Sequence, residues 1–275
     1  IIETCTFNSQ SISLADYHCE SLVKEINFAA AQLARTCADN YATPEKPRFV
    51  AGSVGPTNKT CSLSPDVNDP ALRTLHFDEL AIAYQEQIEA LLEGGVDAIL
   101  IETVFDTLNA KAAVVAAQAA MSTKGREVPI MLSVTVADKG GRTLSGQTLE
   151  AFLASFSTMP IFSVGLNCSF GAKDMKPFLE NLAARAPYYI SVYPNAGLPN
   201  SLGEYDETPE HMASEVAEFL DENLINIVGG CCGTTDKFIA EYPKLLEGRT
   251  PHRPVAVPSC LWLSGLESCE IRPER

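Results

Sequence analysis

The chain has 275 residues, of which 46% are hydrophobic and 20% are charged, and its formal net charge is −15. This length and composition are compatible with one large globular α/β domain. The acidic net charge excludes a nucleic-acid partner, because nucleic-acid binding needs clustered Lys and Arg. No apolar run is long enough to predict a membrane-spanning segment.

Short apolar runs alternate with longer amphipathic segments along the chain. The runs predict strands, and the segments predict helices. The predicted strands are Ile1–Thr4, Phe49–Val54, Ala98–Thr103, Ile130–Val136, Phe162–Asn167, Tyr189–Tyr193 and Ile225–Val228. The predicted helices are Leu14–Asn40, Phe77–Glu93, Leu108–Ser122, Thr148–Ser157, Lys173–Arg185, Glu210–Asp221 and Asp236–Glu247.

The alternation predicts an α/β fold with a parallel sheet, because most of these strands are apolar on both faces. Both a doubly wound sheet and a closed barrel fit this pattern. No G-x-G-x-x-G phosphate turn follows a strand, which disfavours the doubly wound fold. Polar residues at the ends of many strands favour a (β/α)8 TIM barrel. They are Glu3, Ser53, Glu102, Thr135, Asn167, Cys168, Asn195, Cys231 and Cys232. Only seven βα units are present, so we expect the first strand to be missing from this chain.

Composition changes near residue 250. Residues 1–249 are predicted to form the barrel domain. Residues 250–275 begin with the Pro-rich segment Thr250–Pro258, which is typical of a stiff linker. The segment Cys260–Glu267 that follows is apolar enough to pack on another surface. At the other end, the first residue is Ile1 rather than Met and lies within an apolar strand-like run. We therefore expect both ends to have been cut from a longer polypeptide.

The chain has nine cysteines, an odd number with irregular spacing. A chain of this length does not need disulfides to fold, so this pattern favours a reducing compartment and predicts a cytoplasmic protein.

Three cysteines predict a metal site. Cys231 and Cys232 are adjacent within Gly229–Thr234, where glycines allow the loop to turn. Cys168 directly follows the predicted strand Phe162–Asn167. Three thiolates from two strand ends predict a zinc site whose fourth position is open to a substrate. The alternatives are that these cysteines are small core residues or that the adjacent pair forms a vicinal disulfide.

A zinc ion held by three thiolates favours a fourth thiol, which the metal deprotonates near neutral pH. Such a site suits transfer of a carbon group onto sulfur better than activation of water. The absence of an H-E-x-x-H motif also disfavours peptidase chemistry. The four histidines lie away from the strand ends, so we expect surface or helix residues rather than ligands. They are His18, His76, His211 and His252.

Two further strand-end residues are candidates for substrate binding. A carboxylate at Glu102, in an otherwise apolar strand, is costly without a partner and predicts an acceptor for a substrate ammonium group. The alternatives are a helix N-cap and an internal salt bridge. Asn195 is a candidate donor to a substrate carboxylate or a metal ligand, but Asn is also a common turn residue.

Three connections are candidate lids or binding loops because of their length or glycine content. They are residues 55–74, 194–209 and 140–147. The last is equally compatible with a flexible turn.

Several segments together give the chain a resemblance to a known family. They are Ile2–Thr4, Thr6–Asn8, Gly55–Asn58, Ile101–Thr107, Gly141–Thr148, Gly165–Cys168, Tyr193–Asn200 and Gly229–Thr234. The chain resembles the homocysteine S-methyltransferase family over its whole length. Within that family it is most similar to the N-terminal homocysteine-binding modules of cobalamin-dependent methionine synthases. It departs from the pattern at Cys5, where we expect Asn, and lacks the Asp-Gly segment of the first strand.

The resemblance implies a methyltransferase of methionine biosynthesis. It implies that Cys168, Cys231 and Cys232 bind zinc, and that zinc binds the homocysteine thiolate. It also implies that Glu102 receives the substrate amino group and that Asn195 lies beside the metal and substrate. Glu3 and Ser53, at the first two strand ends, are the other expected substrate-binding residues.

By the same resemblance, methylcobalamin is the methyl donor and is carried by another module of the full-length polypeptide. A folate-binding module is expected to follow residues 250–275. One alternative is a stand-alone enzyme that uses S-methylmethionine or betaine. Another is an inactive fragment that binds zinc and homocysteine without turnover.

Overall fold

The structure is a computed structural model that describes residues 1–257 and 259–273. Pro258, Glu274 and Arg275, which belong to the predicted linker, lie outside the described residues. The strands are β1 (Ile2–Glu3), β2 (Val50–Val54), β3 (Ala98–Val104), β4 (Ile130–Val134), β5 (Ser163–Asn167), β6 (Tyr189–Tyr193), β7 (Ile227–Val228), β8 (Leu261–Ser264) and β9 (Ser268–Ile271). The helices are α1 (Ser11–Leu14), α2 (Val23–Tyr41), α3 (Phe77–Gly94), α4 (Thr107–Lys124), α5 (Leu149–Phe156), α6 (Ala172–Ala183), α7 (Pro209–Asp221) and α8 (Asp236–Leu245).

The first seven strands and most helices lie within a few residues of their predicted positions. The exception is the predicted helix Leu14–Asn40, which is wrong in its first part. The chain there forms α1, two 3-10 turns and then α2. His18 has a left-handed backbone with a φ of 55°, which ends the first 3-10 turn and breaks the helix.

The described residues fall into two compact units, the first of which is Ile1–Leu132. In this unit β1 pairs with β2, and β2 pairs with β3, always in parallel. Helix α3 covers the strands with fully buried side chains that include Leu80, Ile88 and Leu91. Glu3 is opposite Ala51, and Ser53 is opposite Leu100. Because side chains alternate along a strand, Glu3, Ser53 and Glu102 project from the same face.

The second unit begins at Ser133 and contains a parallel sheet of β5, β6 and β7. Asn167 is opposite Tyr193, so β5 and β6 end at the same level. Gly165 makes close approach of these strands possible, because a Cβ at that position would overlap with Ser191. The carboxyl ends of the three strands therefore lie at one edge, where their following loops can meet.

The last described residues form an antiparallel hairpin of β8 and β9, in which Leu261 pairs with Ile271. This hairpin lies within residues 250–275 and belongs to the second unit. Ser264 donates a hydrogen bond to the carbonyl oxygen of Ala151 in α5 at 2.7 Å. Among the described residues, no helix has both the length and the apolar character needed to cross a membrane.

Candidate active site

Cys168 is presented by a tight turn directly after β5. Cys168 and Ser169 both have left-handed backbones, with φ values of 62° and 64°. Non-glycine residues seldom adopt this conformation, and strained positions of this kind are concentrated at functional sites. The Cys168 N–H donates to the carbonyl oxygen of Tyr193 at 3.1 Å. The turn thus bends the chain toward the end of β6.

Cys231 and Cys232 lie in the turn after β7, which glycines make possible. A Cβ at Gly230 would overlap with Thr234, and one at Gly233 would overlap with the ring of Tyr205. Gly233 also has a φ of 79°, which favours glycine. The Cys231 N–H donates to the carbonyl oxygen of Pro194 at 2.8 Å, which attaches this turn to the loop after β6.

The structure brings the three predicted cysteines together. The Cys168 and Cys232 sulfurs are 3.8 Å apart, and the Cys231 and Cys232 sulfurs are 3.9 Å apart. All three sulfurs lie within 4.8 Å of one another. A tetrahedral zinc ion with bonds of about 2.3 Å separates its sulfur ligands by about 3.8 Å. The spacing of the thiols therefore fits the edges of a tetrahedral zinc site.

The three thiols change one another's protonation. A hydrogen bond with Cys231 lowers the pKa of Cys168 to about 5 despite burial, with help from Asn195. That hydrogen bond, burial and the charge of Cys168 raise the pKa of Cys231. Burial, followed by the Cys168 charge, raises the pKa of Cys232. One thiolate therefore forms readily, but three thiolates need a soft cation among them.

Two buried amides support the cysteines. The side-chain oxygen of Asn195 accepts the Cys232 N–H at 3.2 Å. The Asn167 amide points at the Cys231 sulfur at 3.9 Å, and its oxygen accepts the Ser133 hydroxyl at 2.7 Å. Both amides are at least 95% buried, so their orientation is fixed by these hydrogen bonds. The structure thus places Asn195 beside the cysteine cluster.

Tyr205 is a further residue at this cluster, and sequence analysis missed it. It lies over Gly233, and its hydroxyl interacts with the Cys232 thiol and helps to lower the pKa of that thiol against the larger opposing effects. The only signal in the sequence is that Tyr205 belongs to the long loop at residues 194–209. A single Tyr in a loop gives no spacing pattern that predicts such a contact.

In the first unit, Glu102 and Ser53 form a buried polar group at the ends of β2 and β3. Glu102 is 9% exposed and accepts a hydrogen bond from the Ser53 hydroxyl. The Ser53 N–H donates to the Thr4 hydroxyl at 2.9 Å, and Thr6 donates to the Ser53 carbonyl at 2.7 Å. Thr103 has a φ of 56°, which is strained for a β-branched residue.

Glu3 projects from the same face of the sheet, and it is exposed to solvent. Burial on its other sides, together with the negative charge of Glu102, raises the pKa of Glu3 to about 7, and the amino group of Ile1 opposes this shift. A like charge disfavours ionisation, so Glu3 keeps its proton more readily beside the ionised Glu102. Glu3, Ser53 and Glu102 therefore form one acidic group of residues.

We expect Glu3→Gln to raise the melting temperature, and to do so increasingly as pH rises. Folded Glu3 holds its proton up to about pH 7, whereas the unfolded chain releases it near 4.5. The stabilising effect of the protonated carboxyl is thus present below pH 4.5 and lost as pH rises through 7. Melting curves from pH 5 to 8 measure this trend. Glu127→Gln, at an exposed glutamate of the same unit, is the control, and a pH-independent difference would contradict the assignment.

The histidines lie outside both groups, and one differs from its expected place. His252 is 8% exposed and lies neither in a helix nor on the surface. Its Nδ1 atom is 3.1 Å from the Asn223 carbonyl oxygen. His211 is exposed and contacts Glu207, with Nδ1 2.8 Å from the carboxylate.

Comparison with known proteins decides the family. The sequence profile described as Homocysteine S-methyltransferase matches residues 1–246. The chain belongs to the homocysteine S-methyltransferase family. The predicted membership of this family is thereby confirmed, and the chain is a methyltransferase that acts on homocysteine.

Solved structures show the fold of this family member. The metallated form of the homocysteine methyltransferase MmuM from Escherichia coli has 20% identity and a TM-score of 0.68. That match covers 88% of this chain and 78% of the other chain. The oxidized form of MmuM covers the same shares, with 21% identity and a TM-score of 0.67.

A different enzyme has a more distant likeness. The 6-hydroxypseudooxynicotine amine oxidase HisD from Pseudomonas geniculata N1 has 11% identity and a TM-score of 0.51, over 81% of this chain and 38% of that chain. The similarity to MmuM confirms the predicted TIM-barrel-like α/β fold. The seven strands β1 to β7 are one fewer than the eight of a complete barrel.

Proposed function

We propose that Cys168, Cys231 and Cys232 bind one zinc ion and that this homocysteine methyltransferase is zinc-dependent. The observation that supports this most directly is the spacing of the three sulfurs, which fits a tetrahedral zinc site. Bound zinc would lower the pKa of the homocysteine thiol and keep it as a nucleophilic thiolate at neutral pH.

The residues around the cysteines would keep this site in shape. Asn195 fixes the Cys232 turn through the backbone N–H, and Asn167 orients Cys231. Cys232 is exposed, whereas Cys168 and Cys231 are partly buried. A thiol substrate would therefore approach from the Cys232 side, where Tyr205 also lies.

For the substrate amino group we propose Glu102 as the acceptor. A buried carboxylate is stable as an anion only with donors around it, and the structure gives the Ser53 hydroxyl as one of them. Ser53 would hold the carboxylate in one orientation, and Glu3 would add a second carboxyl group on the same face. An ammonium group matches the charge of this acidic group of residues.

We further propose methylcobalamin as the methyl donor, carried by another module of a longer polypeptide in the cytoplasm. When bound, methylcobalamin would supply a methyl cation equivalent and keep the bonding electron pair on cobalt, and the homocysteine thiolate held beside Cys168, Cys231 and Cys232 would accept the methyl group to give methionine. Residues 1–249 would form the homocysteine-binding domain, and residues 250–275 would lead to a folate-binding module. This part of the proposal is supported by the sequence resemblance.

An assay with three methyl donors tests this proposal. The zinc-loaded chain is incubated with homocysteine and either methylcobalamin, S-methylmethionine or betaine, and methionine is measured. Of the three donors, we expect only methylcobalamin to give methionine. The rate of this reaction should fall when zinc is removed. Turnover with S-methylmethionine or betaine would instead support the stand-alone enzyme. Binding of homocysteine without turnover by any donor would support the inactive binding fragment.

A further inference from the structure

The C-terminal hairpin of β8 and β9 has an inner and an outer face. Leu261 and Leu263 alternate with Trp262 and Ser264 along β8, so the two pairs project from opposite faces. Ser264 contacts α5, where it donates to the Ala151 carbonyl and accepts from the Ser155 hydroxyl at 2.7 Å. The indole nitrogen of Trp262 is buried, whereas Leu263 is 44% exposed. The Trp262 and Ser264 face therefore attaches the hairpin to the second unit.

The turn of the hairpin holds the loop that joins β4 to α5. The Thr148 N–H donates to the Leu266 carbonyl oxygen at 3.0 Å, and the Gln147 amide donates to the Gly265 carbonyl oxygen at 2.8 Å. Arg142 forms an ion pair with Glu267. Three points of this loop are thus bonded to three consecutive residues of one turn.

The same loop leads back to the cysteine cluster. The Ala137 N–H donates to the Arg142 carbonyl oxygen at 2.7 Å, which closes the base of the loop. Two residues earlier, the Thr135 hydroxyl is hydrogen-bonded to the Ser169 hydroxyl at 2.6 Å. Ser169 is the second left-handed residue of the turn that presents Cys168. A continuous set of contacts therefore joins the hairpin, the loop at residues 137–148 and the Cys168 turn.

We propose that the C-terminal hairpin is a positioning element for the metal site, acting through the loop at residues 137–148. The hairpin restrains the loop, the loop restrains Thr135, and Thr135 restrains the strained turn that aims the Cys168 sulfur. Strain of this kind persists only when surrounding contacts over-determine it. The part of this inference that concerns zinc rests on the proposed zinc site.

The test uses variants of the full chain. Trp262→Ala combined with Ser264→Ala removes the inner face of the hairpin, and Leu263→Ala on the outer face is the matched control. Hydrogen exchange of residues 137–148 is measured by mass spectrometry, and zinc affinity is measured by competition with a chromogenic chelator. We expect the inner-face variant to speed exchange in the loop at least fivefold, since each lost hydrogen bond contributes about 1 kcal/mol.

Zinc affinity should fall about tenfold in Thr135→Val, the lower end of the effect typical of outer-shell partners. It should fall about three- to tenfold in the inner-face variant, which acts from further away. Leu263→Ala should change neither quantity. Unchanged exchange in the loop would overturn the proposed restraint of the loop by the hairpin, and faster exchange with unchanged zinc affinity would overturn the link to Cys168. If the double variant does not fold, Glu267→Gln replaces it, with the same readouts and smaller expected changes. A parent chain that binds no zinc would refute the zinc proposal alone, because hydrogen exchange still reports on the restraint of the loop by the hairpin.

Discussion

Replacing Cys231 with Ser is expected to abolish tight zinc binding and methyl transfer while the barrel stays folded. The variant removes one of three thiolates at a site where the sulfurs are spaced for a tetrahedral ion. Outer-shell changes already weaken metal binding about 10- to 100-fold, so loss of a ligand should exceed about 100-fold. Metal analysis after dialysis against a chelator gives the zinc content, and circular dichroism gives the helix content.

Cys37→Ser is the control, because Cys37 is an exposed thiol on α2. We expect that variant to keep one zinc ion per chain, with three sulfur ligands at about 2.3 Å by X-ray absorption. Homocysteine should raise the sulfur count to four. A loss of zinc in Cys37→Ser would contradict the assigned ligands. A zinc-free chain without helix content would make the metal structural rather than substrate-activating.

The fold was largely predictable because its local signals agree. Parallel strands such as Val50–Val54 are buried on both faces and mostly apolar, and helix starts such as Asp106 and Thr148 carry side chains that cap them. The Leu14–Asn40 prediction was wrong at its start because apolar spacing alone does not report a single left-handed residue at His18. Backbone conformation at one position thus overrode a periodic pattern.

The cysteine cluster was predictable for a related reason. Strand ends of a parallel sheet meet at one edge, so Cys168 and the Gly229–Thr234 turn were expected to converge. Contacts made by long loops were not predictable. Tyr205 contacts Cys232 from the middle of a loop. The Gly140–Gln147 segment is hydrogen-bonded to the C-terminal hairpin, which lies more than 100 residues later in the chain. Such contacts depend on tertiary packing, which leaves no periodic signal in sequence.

Glu102→Gln is expected to weaken homocysteine binding while leaving zinc binding intact. The substitution removes the negative charge but keeps an oxygen that can accept the Ser53 hydroxyl, so the buried polar group stays intact. A hydrogen bond to a charged group contributes about 1.5–3 kcal/mol, which predicts a KM increase of about 10- to 100-fold. Steady-state kinetics with zinc-loaded protein measure the change, and Glu127→Gln is the charge-matched control.

A substrate analogue makes this test specific for the amino group. 4-Mercaptobutyrate has the thiol and carboxylate of homocysteine but no ammonium group, so Glu102→Gln should leave its binding unchanged or strengthen it. Equal weakening of both thiols would mean that Glu102 supports the shape of the site rather than the substrate amino group. Loss of zinc in this variant would contradict the separation of the two roles. A selective loss for homocysteine requires a charge interaction with the ammonium, because the amino group is the only difference between the two ligands.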